Sequence, residues 1–121
     1  MKPDDLLDLF AAAADAHRRA LAPLSHEARR ARTDRPGQYA LDVVVDTAVL
    51  EVLHGAPVAV VSEESGWSGD RASPVTVVVD PVDGSTNCSR EIPYWGISLC
   101  AVDADGALCA LRPIEFVVLR G

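Results

Sequence analysis

Asp80-Pro81-Val82-Asp83-Gly84-Ser85-Thr86-Asn87, the octapeptide at residues 80–87, decides how this chain is interpreted. It follows the β-branched run Val75–Val79, which predicts a buried strand ending at Asp80. Two aspartates with a stiff proline between them can converge on a hard cation, and the Val82 carbonyl can add a neutral oxygen ligand. The Gly-Ser-Thr-Asn that follows permits close backbone approach and offers N–H groups and hydroxyls to a phosphate. The octapeptide therefore predicts adjoining magnesium and phosphate sites.

A second acidic cluster, Ser62-Glu63-Glu64-Ser65-Gly66, follows the run Val58–Ser62, which predicts another short buried strand. Adjacent glutamates in an extended chain face opposite sides, so one is expected to ligate an ion and the other to reach a metal-bound water. Alone, such a turn is usually only solvated. Together with the octapeptide, it places Glu63, Asp80 and Asp83 at the ends of two strands of one sheet.

Two helices are predicted before these strands. Apolar residues recur every three or four positions from Asp4 to Leu21, and Tyr39–Leu53 combines a β-branched run with helical spacing that ends at a glycine. In the second helix Asp42 and Asp46 lie one turn apart on the same side. His17 falls on the apolar stripe of the first helix and is interpreted as a core residue without a chemical role.

The remaining segments predict loops and an antiparallel hairpin. They are a polar connection at Ser25–Gly37, a loop at Trp67–Ser73, a hairpin of Gly96–Val102 and Ala107–Leu111 around a turn at Asp103–Gly106, and a last apolar run at Ile114–Leu119 after an interruption at Pro113. We therefore predict an α+β fold in which two helices pack on an antiparallel sheet. No domain boundary is visible, so residues 1–121 are expected to form one unit.

Composition narrows the function classes. The 121 residues are 49% hydrophobic with a net charge of −7, and no run of Lys or Arg favours nucleic-acid or acidic-membrane partners. Three cysteines without a C-x-x-C pair predict neither a disulfide framework nor a zinc site, and they fit a reducing cytoplasm. The chain shows neither the basic start of a signal peptide nor an apolar run long enough to span a membrane, so we expect a soluble cytoplasmic protein.

The two acidic motifs together resemble the paired signature of the inositol monophosphatase family, and the resemblance extends from the first helix to the hairpin. It implies the N-terminal portion of a layered sugar-phosphatase fold, so that residues 1–121 form a partial domain, and it implies a homodimer. It also implies Mg²⁺ ligands at Glu63, Asp80, Val82 and Asp83. An upstream aspartate and the hydroxyl residue after Asp-Gly orient a metal-bound water in that family. Asp46 is chosen for the aspartate, with Asp42 as the fallback, and Ser85 supplies the hydroxyl.

The activity that this resemblance implies is Mg²⁺-dependent hydrolysis of a small sugar or cyclitol phosphate such as inositol 1-phosphate. Asp46 and Ser85 would relay the proton of the attacking water. Asp83, Gly84 and Ser85 would hold the phosphate in line for attack, with backbone N–H groups donating to it. No covalent enzyme intermediate is needed.

Three other interpretations remain. The family has a later Trp-Asp segment that completes its metal site and that these 121 residues lack. The chain is therefore alternatively an inactive, truncated module that binds metal or dimerises, with apolar strands left uncovered. An aspartyl-nucleophile phosphatase needs Asp-x-Asp spacing, and a calcium loop needs alternate ligands and a terminal Glu, so both fit poorly.

Trp67, Tyr94 and Trp95 are interpreted as packing residues rather than as a surface on which a sugar ring stacks.

Overall fold

The computed structural model describes residues 1–103 and 106–116, with only the backbone described for 107–116. Its elements in chain order are α1 (Pro3–Leu21), α2 (His26–Arg30), α3 (Ala40–Leu53), β1 (Ala59–Ser62), β2 (Gly66–Gly69), β3 (Thr76–Asp83), α4 (Ser85–Ser89), β4 (Tyr94–Asp103) and β5 (Gly106–Phe116). The five strands form one sheet in the order β2-β1-β3-β4-β5.

The predicted α+β class is confirmed, but the predicted antiparallel sheet is wrong in one pairing. β1 and β3 run parallel, whereas the other neighbouring pairs are antiparallel. The parallel pair brings the ends of β1 and β3 to the same edge of the sheet, so the two acidic motifs that follow them become neighbours.

Both predicted helices are present, and each begins for a chemical reason. α1 has Pro3 in its first turn, where a missing N–H is harmless, with acidic residues near its start and Arg18 and Arg19 in its last turn. α3 begins after Tyr39, whose N–H donates to Asp42 Oδ2 at 2.9 Å. The predicted polar connection contains the short helix α2, because the Ser25 hydroxyl accepts from the Ala28 N–H and caps it.

The core lies between α1, α3 and one face of the sheet. Its largest fully buried apolar side chains are Phe10, Leu41, Leu53, Ile97, Leu99, Val45, Val49, Val58, Val60, Val77 and Val79. Burying each of these contributes roughly 1.5–3 kcal/mol. The opposite sheet face carries Val78 and Val102, which are 44% and 40% exposed. The expected uncovered apolar surface is thus present on β3 and β4, while residues 117–119 of the predicted last apolar run lie outside the described residues.

Several strand boundaries differ from the predictions. The first three residues of the predicted loop Trp67–Ser73 belong to strand β2, which forms a hairpin with β1. Pro113 does not interrupt the backbone of β5, because a register shift opposite Trp95 and Gly96 accommodates it. Cys100 is disulfide-bonded, with Cys109 opposite it in the register, so the expectation drawn from cysteine spacing is wrong for Cys100.

Candidate active site

A β-bulge gives the octapeptide its geometry. In the pairing of β3 with β4, Asp80 lies opposite Ser98 and Asp83 lies opposite Gly96, so three steps on one strand match two on the other. The extra residue reverses the alternation of side chains, and Asp80 and Asp83 therefore share a face. The Ser98 hydroxyl donates to Asp83 Oδ2 at 3.1 Å, as expected for neighbours on one face. The sequence prediction ended the strand at Asp80 and missed this bulge.

Glu63 joins the two aspartates on the sheet face opposite α1 and α3. The pKa of Asp80 is raised to about 7, first by burial and then by the hydrogen bond and charge of Glu63 and by the charge of Asp83. The Asp80 Oδ1 atom is buried and has no hydrogen-bond partner among the described residues. We call Glu63, Asp80 and Asp83 the carboxylate side of the site. Its negative charge gathers in one place, which is the arrangement that a bound cation would stabilise.

The carboxylate side fits a hard divalent cation by its chemistry, but its side chains are not arranged as a complete set of metal ligands. Among residues 1–103 and 106, no three His, Cys, Asp or Glu side chains are already arranged to hold a metal ion. The donor set contains only oxygen atoms, and the orphaned Asp80 Oδ1 is free to bind a hard cation. The Val82 carbonyl oxygen, predicted as a ligand, lies 3.1 Å from Ser85 Oγ.

Ser85 and Asp42 form the other half of the site, which we call the hydroxyl side. Ser85 Oγ lies 2.6 Å from Asp42 Oδ1, to which it donates. Asp42 is 2% exposed, and its second oxygen accepts the Tyr39 N–H, so both carboxylate oxygens have donors. Asp46, predicted to orient the attacking water, accepts from the Ser62 hydroxyl in the core, so the structure brings the fallback Asp42 and not Asp46 to Ser85.

Gly84 joins the two sides of the site. Its φ of 96° is left-handed, a conformation that other residues adopt at a cost. A Cβ at this position would lie 3.1 Å from the Tyr94 carbonyl oxygen and 3.3 Å from Trp95 Cβ. Only glycine therefore allows β3 to turn directly into α4 while the backbone packs against β4.

His17 holds the turn between the two aspartates from the core. Its Nδ1 donates to the Pro81 carbonyl at 2.7 Å, and its ring is fully buried. Burial lowers the pKa of His17 to about 4, against the opposing effect of that hydrogen bond. The predicted core location is confirmed. Its contact with the turn was missed, since helix periodicity does not reveal a partner 64 residues away.

The two glutamates of the second cluster diverge, as predicted for an extended chain. Glu64 turns away from Asp80, and its carboxylate accepts from Gln38 Nε2 at 2.7 Å, while Arg35 donates to its backbone carbonyl at 2.9 Å. Glu64 therefore ties the β1–β2 turn to the segment before α3. The role of Glu64 beside a metal-bound water stays a prediction.

The aromatic and cysteine predictions are only partly right. Trp95 is 7% exposed and packs in the core, but Trp67 and Tyr94 are 56% and 70% exposed. Cys88 is a free buried thiol whose pKa is raised to about 11, chiefly by burial, which disfavours the reactive thiolate form.

Sequence comparison gives matches over most of the chain. Residues 8–111 match the model of the inositol monophosphatase family. A fructose-1,6-bisphosphatase/inositol-1-monophosphatase of Archaeoglobus fulgidus is 46% identical over 61 residues, which cover 50% of this chain and 23% of that protein. A class 1 fructose-1,6-bisphosphatase of Nitrobacter hamburgensis is 36% identical over 100 residues, which cover 79% of this chain and 29% of that protein.

Solved structures share the fold at lower identity. A Pyrococcus horikoshii protein described as similar to inositol-1 monophosphatase superposes with a TM-score of 0.78 at 23% identity, covering 93% of this chain and 45% of that one. An extragenic suppressor protein of Bartonella henselae gives a TM-score of 0.73 at 21% identity, with 91% and 46% covered. The chain thus spans about half the length of the solved structures that it matches.

Proposed function

Because this chain belongs to the inositol monophosphatase family, we propose that it supplies part of the active site of a Mg²⁺-dependent phosphomonoesterase. The observation that carries this proposal is the pairing of Ser85 with Asp42 beside three clustered carboxylates. Membership of the family supports phosphatase activity in general. The metal, the substrate and the roles of individual residues are our proposals.

We propose that Glu63, Asp80, Asp83 and the Val82 carbonyl hold Mg²⁺. When bound, Mg²⁺ supplies a bound water of lowered pKa and neutralises charge on the phosphate and leaving oxygens. The parallel pairing of β1 with β3 brings Glu63, which follows β1, beside Asp80 and Asp83. The cation would also relieve the repulsion that raises the pKa of Asp80.

We assign the handling of the attacking water to Asp42 and Ser85 rather than to Asp46. The Ser85 hydroxyl donates to Asp42, which leaves its oxygen lone pairs available to accept a proton from a water. Asp42 can receive that proton through Ser85, and its second oxygen is held by the Tyr39 N–H. The Gly84 and Ser85 N–H groups, with Asp83 beside them, are proposed to contact the phosphate.

The proposed substrate is a small sugar or cyclitol phosphate. Inositol 1-phosphate is one choice, and the names of the Archaeoglobus fulgidus and Nitrobacter hamburgensis relatives make fructose 1,6-bisphosphate the other. We further propose a homodimer, with neither nucleic acid nor membrane as partner. None of the described helices is both long and apolar enough to cross a membrane.

We also propose a cytoplasmic location. Disulfides are rare in that compartment, so the thiol state of Cys100 in freshly lysed cells tests the proposed location. A free Cys100 thiol supports it, and a Cys100 disulfide contradicts it.

A second candidate function is a metal-binding or dimerising module without activity. The observation that favours it is the open sheet face around Val78, which joins the carboxylate side in a cavity of about 310 Å³. In this interpretation the 121 residues bind Mg²⁺ but lack groups needed for turnover.

The test is phosphate release by the purified chain from inositol 1-phosphate and fructose 1,6-bisphosphate, with and without Mg²⁺, together with calorimetric measurement of Mg²⁺ binding. Asp83→Asn is the test variant, and Asp8→Asn, an exposed carboxylate on α1, is the matched control. Mg²⁺-dependent release that is lost only in Asp83→Asn supports the phosphatase. A folded chain that binds Mg²⁺ without releasing phosphate supports the inactive module instead.

A further inference from the structure

A separate cavity of about 250 Å³ lies beside the C-terminal end of α4. Its lining residues are Arg30, Arg32, Tyr39, Ser89 and Arg90, and we call it the arginine pocket. The carboxylate and hydroxyl sides lie at the opposite end of α4, around Gly84. Neither acidic motif contributes to the pocket, so the residues proposed for phosphate hydrolysis do not account for it.

The three guanidinium groups of the arginine pocket have no carboxylate counter-charge among the described residues. Other arginines do: Arg18, Arg29 and Arg35 lie within ion-pair distance of Asp15, Glu91 and Glu64. Within the described part of the chain, Arg30, Arg32 and Arg90 form no such pair. Like charges gathered in one place repel, and this gathering occurs in a protein whose net charge is −7. A bound anion would remove that repulsion.

The floor of the pocket is preorganised by buried hydroxyl groups. Arg32 Nη2 donates to Tyr39 Oη at 3.0 Å, and its guanidinium stacks 3.9 Å from the centre of the Tyr39 ring. Tyr39 is 5% exposed and Ser89 is 1% exposed. The Ser89 hydroxyl donates to the Thr86 carbonyl at 2.7 Å, which fixes its position. One guanidinium is therefore held rigidly before any ligand arrives, which lowers the entropic cost of binding.

The positive charges of Arg32 and Arg90 also act on the Tyr39 hydroxyl at the floor of the pocket. The pKa of Tyr39 is lowered, first by the neighbouring hydroxyl groups of Thr86 and Ser89 and further by the charges of Arg32 and Arg90. Guanidinium forks match the oxygens of a phosphate group in pairs, and hydroxyl donors complete such sites. The volume suits a small ligand and is too small for a peptide or a helix.

We propose that the arginine pocket binds a small ligand through a phosphate group, at a site distinct from the one where phosphate is released. The ligand is held by Arg30, Arg32 and Arg90, with the hydroxyl groups of Tyr39 and Ser89 beneath it. The proposal does not depend on the phosphatase activity, because none of these residues belongs to the carboxylate or hydroxyl side.

The test is a titration of the metal-free 121-residue chain with pyrophosphate in dilute buffer, followed by amide NMR and calorimetry. Metal-free conditions keep the carboxylate side from recruiting the anion. The test variant is the double substitution Arg30→Gln with Arg90→Gln, which spares the stacked Arg32. The matched control is Arg19→Gln, an exposed arginine on α1 that carries the same charge far from the pocket.

We expect shifts centred on Tyr39, Ser89 and Arg90, and affinity about tenfold or more weaker in the double variant. The control should bind within about twofold of the parent, because exposed distant charges are screened. Unchanged melting temperatures for both variants would show that folding is not the cause. Equal affinity in parent and double variant, an equal loss in Arg19→Gln, no binding by the folded parent, or shifts centred on Gly84 would each overturn the proposal.

Discussion

The hydroxyl side and the carboxylate side lie at one end of the same sheet, but they differ in whether their carboxylate oxygens have hydrogen-bond donors. Asp42 is buried among donors, with one oxygen on Ser85 and the other on the Tyr39 N–H. Asp80 is half-buried among acceptors, with an orphaned Oδ1 and a pKa raised to about 7. The hydroxyl side is built by this chain alone, whereas the carboxylate side needs a positive charge from outside. The first therefore tolerates mutation poorly, and the second should respond to metal and pH.

The largest expected effect distinguishes Asp42 from Asp46. Asn at position 42 has one acceptor oxygen where Asp has two, so it cannot serve both Ser85 and Tyr39, and it cannot receive a proton at neutral pH. We expect Mg²⁺-dependent phosphate release to fall about a hundredfold or more in Asp42→Asn. Asp46→Asn should keep its rate and lose about 1 kcal/mol of stability, because it weakens one buried hydrogen bond. Equal rate losses in the two variants would contradict the assignment of Asp42, and not Asp46, to the hydroxyl side.

The second prediction concerns the pH dependence of the carboxylate side. The folded pKa of Asp80, about 7, exceeds its ordinary value of 3.8, so the folded state holds the proton more tightly. The metal-free chain should therefore lose stability as pH rises from about 4 to about 7. Mg²⁺ should raise the melting temperature more at about pH 8 than at about pH 5, since protons compete with it.

Differential scanning fluorimetry of the parent and of Asp80→Asn measures this behaviour. The variant should show neither the loss on the alkaline side nor the large Mg²⁺ effect. A Mg²⁺ shift that is the same at both pH values, or that persists in the variant, contradicts the description of the carboxylate side.

A smaller and opposite pH effect should come from His17. Its folded pKa of about 4 lies below the ordinary 6.5, so the unfolded state binds the proton more tightly. His17 therefore contributes stability above about pH 6.5 that is lost as pH falls to about 4, at most about 3 kcal/mol. His17→Asn keeps a donor toward the Pro81 carbonyl but does not titrate. Measured in the Asp80→Asn background, it should flatten the acid limb of the stability profile, and an unchanged acid limb would count against the assignment.

The smallest expected difference compares two glycines. Gly84→Ala and Gly37→Ala both place a Cβ on a left-handed residue, with φ of 96° and 78°. Gly37 has open space around it, whereas a Cβ at Gly84 meets Tyr94 and Trp95. We expect about 1 kcal/mol of strain for both and about 1 kcal/mol more for Gly84→Ala, measured by urea denaturation. Equal losses would show that the junction of the two sides yields more easily than its packing suggests.

Local chemistry carried most of the sequence prediction. The periodicities of α1 and α3 and the β-branched run of β3 determine their own structure, and the octapeptide carries its family resemblance in consecutive residues. These features depend on neighbours in the chain, so they could be predicted without knowledge of the fold.

The parts that sequence could not supply are set by distant partners. The parallel pairing of β1 with β3 and the disulfide at Cys100 depend on how strands meet, and strand order leaves no local signal. The sequence left the choice between Asp42 and Asp46 open for a related reason, because both lie on one helical side. One available signal was the position of Asp42 three residues after Tyr39 at the start of α3, where a carboxylate bonds backbone N–H groups. His17 offered no such signal.

The bulge between Asp80 and Asp83 has a consequence for how this gene can change over time. Replacing one residue of the turn alters a single side chain. An in-frame loss or gain of one codon there would change the number of residues between Asp80 and Asp83, which determines the sheet face to which each side chain points. With the bulge retained, Asp83 would then point to the opposite side of the sheet from Asp80, so a length change keeps the shared face only if it also removes or enlarges the bulge. Natural variation at residues 81 and 82 should therefore include substitutions more often than length changes.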